Sequence, residues 1–189
     1  MDGVAGVLSA FGLSVSAGLN AYVPLLIVSL MARFTNWIDL APPWDALSSW
    51  WVIGGLIVLG SIEFFADKIP AVNHVNDVIQ TFVRPAAGAI LFAASTRVVT
   101  EIHPVVAMIA GLLVAGSVHA VKAAAVRPAI TAATGGTANI PVSVAEDILA
   151  TGLSILSVVI PVLVAALIIV LTALVIWLLW RRANAVRAT

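Results

Sequence analysis

Ionisable side chains are rare in this chain, and most of them fall in two blocks. The first, E-F-F-A-D-K-I-P-A-V-N-H-V-N-D-V-I-Q-T-F-V-R at 63–84, holds Glu63, Asp67, Lys68, His74, Asp77 and Arg84. The second, at 119–147, holds His119, Lys122, Arg127, Glu146 and Asp147. Two chemistries are open to such residues. Guanidinium and ammonium groups can hold phosphate or carboxylate oxygens, and T-G-G-T-A-N before a helix start would add backbone N–H donors. Carboxylates instead suit a cation or a proton relay. Catalysis is not expected, because no H-E-x-x-H, P-loop or G-x-S-x-G pattern occurs. His74, His103 and His119 are too scattered to name a metal triad, there is no cysteine, and no cofactor is implied.

The rest of the composition says where these charges sit. Of 189 residues, 62% are hydrophobic and 10% charged, with a mean hydropathy of +1.14; soluble chains carry roughly 25% charged residues. Nine acidic and nine basic side chains cannot cover a soluble surface of this size, so the lipid bilayer is the expected partner. Zero net charge argues against nucleic acid. The opening M-D-G-V-A-G lacks a basic signal-peptide start, so the first apolar segment is read as mature protein.

A crossing needs about 20 apolar residues. Residues 3–32 carry no charge and supply one crossing, interrupted by S-V-S-A-G-L-N-A-Y-V-P. Pro24 there suggests a kinked helix whose Ser14, Ser16 and Asn20 bond back to their own carbonyls. The alternative is a broken helix lining a cavity. Residues 34–51 form an interfacial loop with Pro42-Pro43 and with Trp37, Trp44, Trp50 and Trp51 at headgroup level. A second span from about Val52 ends in Glu63 and Asp67, which share a helix face. A third, capped by Asn73 and kinked at Pro85, would run to Val99, with Asp77, Gln80 and Arg84 as one polar stripe turned from lipid. After a turn at Glu101, His103 and Pro104, a helix from Val105 carries His119, Lys122 and Arg127-Pro128. Residues 129–145 suggest a re-entrant or irregular segment, and Ser143-V-A-Glu146 a capping box that starts the next helix. Residues 148–180 are uncharged and divided at Pro161 into a buried lower part and a spanning upper part.

The expected architecture is therefore all-α, one polytopic membrane domain over 1–189 with about five spans plus broken or re-entrant segments. Arg181, Arg182 and Arg187 place the tail at 181–189 in the cytoplasm, and Arg33 and Arg97 on the same side, with the N-terminus outside. A short echo, T-F-V-R-P-A against A-A-V-R-P-A, hints at a weak internal repeat.

Buried charges usually pair or line a pathway. The leading expectation is a transporter-like protein for an anionic or phosphate-bearing solute or lipid headgroup. Arg84, Lys122, Arg127, Asn20 and Asn139 would bind it, and Glu63, Asp67, Asp77, His119 and Glu146 would act as ion or proton relay. A cation or proton-coupled carrier using those acids is the alternative. A non-transporting scaffold, with the charges as packing pairs, is the third reading. Five spans leave little room for a sealed path, so a homodimer is expected.

At S-A-G-L-N-A-Y-V-P-L-L, E-F-F-A-D-K-I-P…D…R-P-A-A-G-A and H-A-V-K…R-P the chain resembles a family of small bacterial membrane proteins catalogued as domain of unknown function 4126. The resemblance implies a multi-pass protein of the bacterial inner membrane and gives no substrate.

Overall fold

The computed structural model describes residues 3–68, 70–96 and 102–187, with the side chains of these except 70–75, 96 and 182–187. The helices are α1 (Gly3–Leu19), α2 (Tyr22–Phe34), α3 (Trp50–Ala66), α4 (Pro70–Thr96), α5 (Pro104–Val121), α6 (Arg127–Thr134), α7 (Asn139–Val159) and α8 (Pro161–Arg187). A 3-10 turn at Trp44–Ser48 precedes α3, and a π-helical turn at Lys122–Val126 joins α5 to α6. No strand occurs among the described residues.

Among the described residues, four stretches are long and apolar enough to cross a bilayer: Asn76–Ser95, Pro104–Thr134, Asn139–Val159 and Pro161–Arg181. At 1.5 Å per residue, the 17, 13 and 17 residues of α1, α2 and α3 fall short of a ~30 Å core. The chain is an all-helical membrane bundle, of long spans and shorter helices together.

The short helix α1 is its axis, packed against α4, α5, α7 and α8. Small residues permit this. A Cβ on Gly12 would stand 2.8 Å from Val164 of α8, and one on Gly18 2.7 Å from the Ala115 carbonyl of α5. The α4–α5 pair is closed the same way, a Cβ on Gly88 falling 2.7 Å from the Gly111 carbonyl. Without a hydrophobic drive between helices in lipid, such close backbone approach and interhelical hydrogen bonds do the associating. Ser14 Oγ donates to the Gly88 carbonyl, and Ser16 Oγ to the Ala150 carbonyl at 2.7 Å.

Residues 3–32 are not one kinked crossing. The helix breaks at Asn20–Ala21, and Ser14 and Ser16 bond to neighbouring helices instead of their own turn. Asn20 Oδ1 accepts from the N–H groups of Tyr22 and Val23, satisfying the start of α2. Pro24, with no N–H to give, then sits in the first turn of a new helix, where none is needed. Residues 36–39 line a small cavity with Ser9, Leu13, Ala94 and Ser95, so α2 leads back toward the end where α1 began. Gly3 and Arg33 thus share one end of the bundle, and the single crossing that set them on opposite sides is withdrawn.

Three further boundaries differ from expectation. The helix bearing the polar stripe is already under way at Pro70, ahead of Asn73. Residues 129–145 are regular: α6 runs to Thr134, Gly135 and Gly136 turn the chain at φ 60° and 89°, and α7 starts at Asn139. Ser143 and Glu146 therefore lie inside α7 and cap nothing. The division at Pro161 is present, but α7 reaches back to Asn139 and is itself long enough to cross. In the interfacial loop, Trp37, Trp50 and Trp51 are exposed as expected, whereas Trp44 packs under the bundle against both apolar clusters. Expectations resting on Arg97, Val99, Glu101 and the side chains of Asn73, His74, Arg182 and Arg187 lie outside the described residues.

A buried ionic network as the candidate functional site

Five segments deliver polar or charged groups to one site: the α1–α2 break, the end of α3, the middle of α4, the π turn after α5, and the early turns of α7. The π turn matters most for aim. In an α-helix, residues five apart point about 140° from each other, but the wider i→i+5 turn returns them to nearly one face. Lys122 and Arg127, at its two ends, both face inward as a result.

The charges of the two sequence blocks come together here, most of them in one continuous network. Arg84, fully buried in α4, donates from Nη2 to Glu63 Oε1 at 2.9 Å and lies 3.9 Å from Asp67. Arg127 reaches Asp67 at 3.1 Å, Asp77 at 3.1 Å and Glu146 at 3.5 Å. Lys122 holds Glu146 at 2.7 Å and donates to the Leu19 carbonyl at 3.0 Å, satisfying the broken end of α1. Lys68 pairs with Asp147 at 3.2 Å, and Asn20 Nδ2 donates to the same carboxylate at 3.0 Å. The two arginines that precede prolines, Arg84 and Arg127, converge on Asp67. Asp77 and Arg84, neighbours on one stripe, take different partners.

His119 closes the network on the α5 side. Arg84 Nη1 can only donate, so His119 Nδ1, 3.3 Å away, accepts, and Nε2 carries the proton toward Thr81 Oγ1 at 3.2 Å. Thr81 in turn donates to the Asp77 carbonyl. The imidazole is thereby assigned as the neutral Nε2–H tautomer.

Nearly every polar atom is satisfied. Of the five buried side-chain atoms without a hydrogen-bond partner among the described residues, Ser9 Oγ and Ser29 Oγ lie elsewhere, and Glu63 Oε2, Gln80 Oε1 and Arg84 Nε belong to this site. Gln80 lies one turn before Arg84 and, like Glu63, is almost wholly buried. Among the described residues, five carboxylates (Glu63, Asp67, Asp77, Glu146, Asp147) face four cations (Lys68, Arg84, Lys122, Arg127), which leaves one negative charge in excess when His119 is neutral.

All but one of the expected site residues meet here. Asn139 does not: it is the first residue of α7, where its Oδ1 accepts from Thr131. Asn76, which donates to Asp67 at 2.6 Å, and Ser143, 3.5 Å from the same carboxylate, were missed. Asn76 adjoins the polar stripe and could have been drawn from it; Ser143 carried a cap signal that concealed its role.

A wide groove opens beside the network between α2, α3 and α7, with a volume of about 670 Å³. Asn20, Tyr22 and Asp147 form its polar end, and Leu26, Leu56, Ile57, Phe65 and Ile148 are among its apolar walls.

The family model described as Domain of unknown function (DUF4126) matches residues 7–181. No curated protein and no solved structure matches the chain significantly. The matched span takes in every member of the ionic network, and the chain belongs to the DUF4126 family.

Proposed function

We propose that the chain is a proton-linked membrane carrier whose coupling site is the buried ionic network. The observation that carries this reading is the surplus carboxylate, together with the unpartnered Oε2 of Glu63. An uncompensated buried charge costs several kcal/mol, and one bound proton removes it. The geometry also supports a consequence of that proton. Once Glu63 is neutral, Arg84 Nη2 is drawn to Asp67, 3.9 Å away, and competes with Arg127 for it. Arg127 opens α6, so a proton on α3 is read by the helix beyond the π turn.

An anion is a poorer fit than it looked. Arg84, Lys122 and Arg127 already hold carboxylates, and an incoming phosphate would have to displace them. A divalent metal is also disfavoured, since among the described residues no group of three or more His, Asp or Glu could hold one.

The test is charge movement on a solid-supported membrane bearing oriented proteoliposomes. A pH jump should evoke a transient current in wild type that is absent in Glu63→Gln. Currents no larger than those of protein-free vesicles would reject the reading. That result would favour a scaffold, a reading supported by the way the network ties five chain segments together.

A further inference from the structure

The groove between α2, α3 and α7 lies outside the ionic network but shares its edge. Its volume of about 670 Å³ is typical of a ligand site. Its rim residues Ile57, Phe64, Phe65 and Ile148 are exposed on the apolar outside of a membrane bundle, so it opens where acyl chains lie. Its floor is kept open by a missing side chain: a Cβ on Gly152 would meet nothing within 4 Å.

One end is charged with both signs. Asp147 lines the groove, and Lys68 bonds to it while standing 3.3 Å over the ring of Phe64, another lining residue. Among the four network cations Lys68 is the most exposed, at 17% of its side chain. Its ammonium donates to the Phe64 carbonyl and to Asp147 Oδ2, which leaves one N–H. Asp147 accepts from Lys68 and Asn20 and keeps spare lone pairs.

We infer that this groove holds one acyl chain of an aminophospholipid, with the headgroup phosphate on Lys68 and its ammonium on Asp147. Charge complementarity selects this occupant. A purely anionic headgroup would meet the Asp147 carboxylate without an ammonium to offset it, and a quaternary ammonium has no N–H to donate. The apolar walls take the tail that any phospholipid brings.

The experiment is native mass spectrometry of the detergent-purified full chain titrated with phosphatidylethanolamine, phosphatidylglycerol or phosphatidylcholine. Phosphatidylethanolamine should be retained about tenfold more strongly than either of the others, since every 1.4 kcal/mol is a factor of ten. Gly152→Phe, which fills the floor, and Lys68→Gln, which removes the phosphate donor, should each abolish the preference. Ile57→Trp, on the rim, provides a second blocking variant should Gly152→Phe fail to fold. Equal retention of the three lipids, or a preference that survives the blocking variant, overturns the inference. Neither outcome depends on proton movement through Glu63, so the two proposals fail separately.

Discussion

Replacing Arg84 with methionine removes the one hydrogen-bond donor to Glu63 among the described residues, a carboxylate that is 1% exposed and whose second oxygen already lacks a partner. Breaking a buried pair from one side costs about 3–5 kcal/mol, because the remaining charge stays desolvated. His119 Nδ1 also loses its donor, at about 1–3 kcal/mol. In the double variant Arg84→Met with Glu63→Leu the histidine term is unchanged, but the stranded carboxylate is gone. The double variant should therefore be more stable than Arg84→Met alone by about 3–5 kcal/mol. Reversible unfolding in mixed micelles, followed by helical circular dichroism, measures both at one pH. A double variant no more stable than the single would show that Glu63 is not held by Arg84, and the network as drawn would be wrong.

The helix break, the close packing and the π turn give three more tests. Asn20→Ala removes the cap of α2 and should cost about 1 kcal/mol. Asn20→Asp restores the cap yet sets a carboxylate against Asp147, so thermal melts should show it to be the worse of the two. Gly88→Ala places a methyl group 2.7 Å from the Gly111 carbonyl and should lower stability by about 1–3 kcal/mol, whereas Gly54→Ala, with open space around it, should be within about 0.5 kcal/mol of wild type by the same micelle titration. Lys122→Met takes the nearer of two cations from Glu146, which keeps Arg127, and leaves the end of α1 without its donor, at about 1–3 kcal/mol, and adding Glu146→Gln should recover part of that loss in the same melts.

The membrane class and the inward polar stripe were legible because they depend on composition and helical period. Gln80 and Arg84 are buried where their spacing put them. The break near Asn20 was visible as an anomaly, but its resolution was not. Whether Pro24 bends one helix or opens another turns on who satisfies the freed backbone groups, and one of those donors is Lys122, 103 residues away. Pairing was hidden for the same reason. Lys68 meets Asp147 across 79 residues and Arg127 meets Asp67 across 60, distances at which local pattern carries no information. The π turn left no mark that K-A-A-A-V could show, since those residues suit an α-helix equally well. Ser143 and Glu146 illustrate the opposite failure. Their spacing matched a cap, while helix initiation passed to Asn139 after two glycines with positive φ.

The central claim is that the network takes up one proton at Glu63. Infrared spectroscopy of the reconstituted protein across a pH series tests it most directly, by following the C=O stretch of a buried protonated carboxyl. Wild type should show one such band that rises and falls with pH, and Glu63→Gln should lack it. A pH series that is identical in the two proteins would contradict the account.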